Sequence, residues 1–427
     1  MAPLAPPLWL ADLELLRGPG EALERGDALI DPNGCLLELG PAAADRAHAL
    51  GLEPHPSPGH LLAPALVDPH SVLEDPLTGR AENLESLAAA AIQGGYGQVA
   101  LLPWAQLPRD HPTLLSLRWD TPLQLHLWAS FSLANADEQL APHSDLLAAG
   151  SIGLAGSNNA PPAALLHRAL QLGEIGDRPL LLAPRQVQLS AAGLVRERVE
   201  ALRAGWPVDP PSSETLPLQE LLALHHNHPS AALALMNLST AEGVAQLRVH
   251  PQPPPATVHW WQLVADSGSL PAGHNGWRME PPLGGPGDRQ ALIDALAAGV
   301  ITAVAVHHQA LDAEDQLLPH DQRRPGLAGH GLVLPLLWQE LVEGHGFTVP
   351  QLWQALCWGP SELLGLPPQT LAVGSRQWLL FDPQEAWIWS RSSRRSRAAN
   401  QPIAEGSQIT GRVRASGLLP PDDWQLA

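Results

Sequence analysis

The chain contains no lysine; all 24 of its basic residues are arginine. That absence excludes a carboxylated lysine bridging two metals, a Schiff-base lysine and a P-loop lysine. Tyrosine and phenylalanine are also nearly absent, while Ala, Leu, Pro, Gly, Arg and Trp run high. Compositional bias accounts for the missing lysine, and the chemical exclusion holds regardless. Cysteine is reduced to Cys35 and Cys357, far apart and in no metal-type spacing. This rules out a disulfide framework and fits a reducing compartment, so a cytoplasmic location is expected. Positive charge is scarce as well, and the formal net charge of -19 gives a surface that repels phosphates. No nucleic-acid or anionic-membrane partner is expected. No stretch reaches the roughly 18 uninterrupted apolar residues of a spanning helix. Asp12 and Glu14 fall where an export signal would be apolar, so none is expected.

What is present is a chain of 427 residues, long enough for one large barrel with an added subdomain or for two ordinary domains. Eight short apolar runs, at 64–70, 98–104, 123–129, 152–155, 179–183, 231–238, 256–262 and 303–308, alternate with helix-like segments. Most are apolar throughout, as parallel strands covered on both faces must be. Amphipathic stretches at 80–93, 163–171, 215–225, 240–246 and 288–298 lie between them, and two more helices are expected at 332–341 and 350–356. This order is that of an α/β (β/α)8 TIM-type barrel. The barrel is expected over 60–369, with 1–59 and 370–427 pairing into a small β subdomain formed from both chain ends. The run 390–400, SRSSRRSRAAN, is a basic patch on an acidic protein and reads first as a solvated loop. Pro-rich stretches at 207–214 and 251–255 read as connectors.

Chemistry-bearing residues gather at the expected strand ends. Two histidines at i and i+2 share one face of a strand and can clamp a zinc from one side. The first strand ends in Asp68, His70 and Val72, which gives one imidazole where such a pair needs two. His259, His307 and His308 stand at later strand ends, with His274 and His330 on loops. A rearranged two- or three-ligand site is one use for them, and hydrogen-bonded structural roles are the other. Asp68 and His70 should share a face, whereas the adjacent His307 and His308 should point to opposite ones. No Gly-x-Ser-x-Gly elbow occurs, and Cys357 falls on an expected outer helix. His225, His226 and His228 look chelating but sit where a helix gives way to a connector.

Several stretches in common order resemble dihydroorotases of the amidohydrolase superfamily. LLAPALVDPHSVLEDP (61–76) is similar to the family's Pro-Gly-Leu-Val-Asp-x-His-x-His-Leu-Arg opening, and NLESLAAAAIQGGYGQVALLP (83–103) to the helix and strand after it. LLHRALQLGEIGDRPLLL (165–182) and LMNLSTAEGVAQLR (235–248) resemble the fifth and sixth strand regions. MEPPLGGPGDRQALIDALAAGVITAVAVHH (279–308) resembles the Asn-Pro-Pro-Leu-Arg segment running into the Thr-Asp-His-Ala-Pro-His strand. LLGLPPQTLAVGSRQWLLFDP (363–383) is similar to the closing helix and C-terminal β segment.

The resemblance implies a hydrolase of cyclic amides whose zinc is held by a His-x-His pair and a late aspartate that also accepts the proton of bound water. Two more histidines belong at the ends of strands five and six. On this chain only His70 of that set remains, as a vestigial metal position. Val72, Ala183 and Asn237 stand at the other histidine positions, and His307 at the aspartate, which is the proton-acceptor position. The acidic ligand of strand four has no counterpart in GLAGSNNA (153–160). In the substrate pocket the arginine that grips a carboxylate matches Glu74, two asparagines match Trp104 and Glu280, and His308 follows His307. Reversing the charge at Glu74 repels the anion that a guanidinium would bind. The expectation is therefore a pseudoenzyme of pyrimidine biosynthesis with no cofactor, forming homo- or hetero-oligomers. Aspartate carbamoyltransferase is the partner that the family's degenerate members suggest. The alternative is an active dihydroorotase- or hydantoinase-type hydrolase with zinc in a displaced site.

Overall fold

The computed structural model describes residues 6–116, 119–271 and 273–426. All eight anticipated apolar runs form strands of one parallel sheet, in chain order: Leu66–Ser71, Tyr96–Leu101, Gln124–Ser130, Gly153–Ala155, Leu180–Leu182, Leu233–Leu238, Ala256–His259 and Ala303–Ala305. The first and last strand ends meet: His307 N–H donates to His70 O at 3.0 Å and Val72 N–H to His308 O at 2.8 Å. These bonds, with a parallel bridge between Val72 and Gln309, bring the sheet round into a (β/α)8 barrel. Strands such as Leu180–Leu182 and Leu233–Leu238 are buried along their whole length, which explains why they lack polar alternation.

Three strands stop three residues before their apolar runs do, and the second ends at Leu101 instead of reaching Trp104. The seventh ends at His259, because Trp260 takes helical angles and Trp261–Val264 forms a short helix, carrying Gln262 with it. The eighth ends at Ala305, since His307 adopts a left-handed φ of 45° that no strand accommodates.

The outer helices follow the expected order: Leu84–Gln93, Ala163–Leu172, Ser212–Asn227, Ala241–Val249 and Pro286–Ala297, then Val333–Leu337 and Val349–Trp353. Asn83 starts the first of them with a capping box, accepting Ser86 N–H at 3.0 Å. Pro217 lies inside Ser212–Asn227 and cannot bond back to Ser213. The freed Ser213 carbonyl accepts Gln186 N–H at 2.8 Å, which ties this helix to the loop after strand five. That loop also holds a two-stranded parallel ribbon, Val195–Arg196 with Val208–Asp209, the second strand of which falls in the stretch 207–214 that reads as a connector.

A second sheet of seven strands draws on both chain ends. Leu8–Leu15, Glu24–Ile30, Leu36–Leu39, Pro54–Pro56 and Leu61–Pro64 join Trp378–Ile388 and Gln408–Ser416. Leu61–Pro64 pairs antiparallel with the residues from Trp378 to Phe381, and the chain passes from this sheet into the barrel at Ala65. Tryptophan supplies the large buried aromatics. Trp128, Trp353 and Trp378 are fully buried, and their indole N–H groups donate to Pro69 O, Pro64 O and Gly34 O at 2.8 to 3.0 Å. Among the described residues no helix is long and apolar enough to cross a membrane.

Candidate functional site at the barrel mouth

The C-terminal ends of the strands converge on a small cleft lined by Trp104, Asn158, Ala183, Arg185, Asn237, Glu280 and His307, among others. Its volume open to water centres is about 20 Å³, room for roughly one water. Trp104 occupies much of the entrance. Its indole N–H donates to Gly156 O at 2.9 Å and its ring meets His307 edge-on, with centroids 5.4 Å apart.

Beneath Trp104, His70 is fully buried and both of its ring nitrogens are engaged. Nδ1 lies 3.0 Å from His307 Nδ1, and Nε2 lies 2.9 Å from Thr257 Oγ1. Two imidazole nitrogens at this distance share one proton, so one donates and the other accepts. Either tautomer leaves His70 without a free lone pair. Burial, reinforced by His307 and His259, pushes the His70 pKa well below the usual histidine range, and burial takes His307 to about 4. Burial and His307 likewise lower His259 strongly. All three rings are neutral at pH 7. His307 and Asn237 hold left-handed φ angles of 45° and 53°, conformations that typically cost about 1–3 kcal/mol and cluster at functional positions.

The side of the mouth nearest strands five and six is filled by charge. Arg196 is 0% exposed and donates to Asp209 Oδ1 at 3.1 Å, Glu214 Oε2 at 3.0 Å, Ser213 Oγ at 2.7 Å and Ser239 Oγ at 2.7 Å. Glu214 in turn accepts the backbone N–H groups of Ser239 and Thr240 at 3.0 and 3.1 Å. Arg185 reaches Glu280 at 3.3 Å and Asp209 at 3.5 Å, while its Nε and Nη1 are buried without a hydrogen-bond partner among the described residues. Glu280 also accepts from the Asn158 amide at 3.3 Å. Sequence reading passed over Arg185, Arg196, Asp209, Glu214 and Thr257. Only Thr257 carries a signal, as it shares strand parity with His259.

Not every anticipated site residue arrives here. Trp104, Glu280 and His307 meet at the mouth above His70, but Glu74 and His308 do not line it. Glu74 sits at a separate, more exposed cleft and pairs with Arg324 at 2.8 Å. His308 is buried on the opposite side from His307, as adjacency requires, with Nε2 3.3 Å from Glu82 and its ring 5.0 Å from His330. His330 Nε2–H donates to Asp68 Oδ2 at 3.0 Å. Asp68 also accepts the Ser71 hydroxyl and Val306 N–H, beside a register shift between Asp68 and Ser71. Asp68 and His70 therefore serve different partners, contrary to the shared face that plain alternation suggests.

The donor set does not fit the zinc that the family resemblance implies. Val72 and Ala183 offer no donor, and the nitrogens of His70 are spent on His307 and Thr257. Among the described residues no group of three or more His, Cys, Asp or Glu side chains is arranged to hold a metal ion.

No protein-family model matches the chain. It is 34% identical over 401 residues to a probable dihydroorotase-like protein of Synechocystis sp., covering 84% of this chain and 88% of that protein. It is 29% identical over 411 residues to a dihydroorotase-like protein of Pseudomonas aeruginosa, covering 91% and 96%. A dihydroorotase of Solibacter usitatus matches at 27% over 359 residues, covering 81% and 82%. Among solved structures, a dihydropyrimidinase from Brevibacillus agri superposes with a TM-score of 0.77 at 19% identity, over 96% of this chain and 93% of that one. An L-hydantoinase from Arthrobacter aurescens gives 0.76 at 18%, over 96% and 94%. These two similarities show the fold alone, a (β/α)8 barrel carrying a second sheet. With the extent of the Synechocystis match, the chain belongs to the dihydroorotase-like proteins.

Proposed function

We propose that this dihydroorotase-like protein does not hydrolyse dihydroorotate and acts in pyrimidine biosynthesis as an assembly or regulatory partner of aspartate carbamoyltransferase. The observation that carries the non-catalytic part is the constricted mouth. A hydrolytic zinc needs three or more protein ligands and an open position for water. His70 instead spends both nitrogens inside the protein, under a cleft of about 20 Å³. A cyclic amide requires a pocket of some hundreds of Å³. The partner half rests on the family resemblance, in which degenerate members pack against that transferase. One observation favours the alternative, a cyclic-amide hydrolase with a displaced metal. His70, His259 and His307 lie near one another, with ring centroids 5.0 Å apart for His70 and His307 and 5.8 Å for His259 and His307.

Metal analysis of the protein as isolated separates the two readings. The expected result is far less than one zinc per chain and no ring opening of dihydroorotate. Stoichiometric zinc that disappears in a His70→Ala variant, together with measurable ring opening, would establish the hydrolase instead. Co-expression with aspartate carbamoyltransferase of the same organism is expected to give a joint peak on gel filtration. Separate elution at micromolar concentration removes the partner.

A further inference from the structure

The arginine-rich run near the C-terminus is not a free loop. Glu82 accepts the Ser396 hydroxyl at 2.5 Å and Arg397 N–H at 3.1 Å. Gln93 donates to Ser393 O at 2.9 Å and accepts Arg395 N–H at 3.1 Å. The Asn400 side chain accepts Leu311 N–H at 2.9 Å and donates to Gln309 O at 2.8 Å. The backbone is thereby pinned to the barrel. Burial raises the Glu82 carboxyl, but hydrogen bonds from His308, Ser396 and Ser86 outweigh it and hold the pKa at about 2, so the anchor stays charged.

Beside this loop lies a cleft of about 330 Å³ open to water centres, lined in part by Arg391, Arg394, His274, Trp389, Gln401 and Glu405. It is more than ten times the volume of the barrel mouth. The Arg391 guanidinium makes no hydrogen bond or ion pair among the described residues; only its backbone N–H is used, by Glu405 at 3.2 Å. Arg394 uses Nη1 on Ala398 O at 2.9 Å, which steadies the fork and leaves its other donors free. His274 Nδ1 accepts Gly276 N–H at 3.1 Å, so the ring proton sits on Nε2 as a further donor. That ring lies flat against Trp261, at 6.2 Å and 1°.

We propose that this cleft binds a small dianionic oxyanion, of the phosphate monoester class. Among the residues lining the cleft two guanidinium groups face one carboxylate, Glu405, while Glu82 bears on Arg394 from outside the lining, on a chain of formal charge -19. Guanidinium groups match the geometry of phosphate oxygens, and charge-assisted bonds of this kind are about twice as strong as neutral ones. The pinned backbone places the donors in advance, which lowers the entropic cost of binding. Trp389 and Ile403 provide an apolar wall for the organic part of an ester. The site is a compact cleft, which separates it from the continuous basic groove that a nucleic acid requires.

The test is titration calorimetry of the full-length chain with inorganic phosphate and with phenyl phosphate, against sodium chloride at matched ionic strength. Saturable one-to-one binding is expected for both phosphates, with phenyl phosphate the tighter and chloride without effect. Arg391→Ala leaves the backbone contacts of the loop in place, and it should weaken phenyl phosphate binding by about tenfold or more. Glu405→Gln keeps an acceptor for Arg391 N–H and should tighten binding, which general loosening of the loop would not do. Three outcomes overturn the proposal: no saturable heat up to about 10 mM phosphate, equal responses to phosphate and chloride, or unchanged affinity in Arg391→Ala.

Discussion

The wall of the barrel and its mouth obey different rules. In the wall, strands such as Leu180–Leu182 and Leu233–Leu238 are buried end to end, and their packing needs only apolar side chains of suitable volume. At the mouth, Ala183, immediately after the fifth strand, and Asn237, near the end of the sixth, stand where the family resemblance implies metal ligands. A mouth without those ligands still has buried polar groups to satisfy, and here they satisfy one another. His70 bonds His307 and Thr257, Arg196 takes Asp209 and Glu214, and Arg185 faces Glu280. Fold and chemistry are thus separable in this barrel: the wall specifies the architecture whatever occupies its open end.

The harshest way to break that separation is to remove Arg196. If the mouth is a structural plug, Arg196→Met leaves Glu214 buried without its cation and Asp209 with only Arg185 at 3.5 Å. The expected cost is about 3–5 kcal/mol, read from the midpoint of urea unfolding. Restoring neutrality with a second change, Glu214→Gln, should recover part of the loss. A cost below about 1 kcal/mol would mean that water reaches the cluster and that the mouth is open.

Acid probes the same contrast from the side of the histidines. His307 is held at about 4 by burial, against the ordinary 6.5 that it regains on unfolding. Between those values the unfolded chain binds more protons than the folded one, so stability rises with pH across this window. Its contribution is complete above pH 6.5 and falls away as the pH drops towards 4, by up to about 3 kcal/mol. His307→Asn keeps a residue that tolerates the left-handed backbone and removes the titration. Urea unfolding at pH 7.5 and at pH 4.5 should therefore show a shallower dependence in the variant. Identical slopes would place the titrating groups outside the mouth.

Most of the wall was legible in the sequence because a fully buried parallel strand announces itself as a short apolar run between turn residues. The errors lie at strand ends, where conformation overrides composition. The run 303–308 reads as continuous strand, yet the ladder stops at Ala305 because His307 turns left-handed. The mouth was legible only where the family resemblance located it, at His70, Trp104, Ala183, Asn237, Glu280 and His307. The Arg196 cluster was invisible because its partners Asp209, Glu214 and Ser239 lie 13, 18 and 43 residues away on separate elements, which no local periodicity links. The ribbon strand that pairs with Val195–Arg196 sits in the stretch 207–214, whose prolines suggest only a connector. Glu74 shows the converse: it matches a substrate-binding position in the opening motif, but its side chain turns to Arg324 at a neighbouring cleft.

Glu74 therefore marks where the mouth ends, and it carries the smallest expected effect. Its pair with Arg324 is 2.8 Å long, with side chains 37% and 49% exposed, and Arg324 keeps Asp315 at 3.1 Å when Glu74 is gone. Exposed pairs of this kind contribute about 0–1 kcal/mol because water and salt screen them. Glu74→Gln should shift the urea midpoint by no more than a few tenths of a kcal/mol, and the shift should shrink further as sodium chloride is raised. The same change at Glu280 removes a partner from the half-satisfied guanidinium of Arg185, which is 8% exposed, and should cost clearly more. Equal effects at the two glutamates would erase the boundary between a sealed mouth and an ordinary solvated rim, whereas a larger loss at Glu280 fixes that boundary between strand one and strand seven.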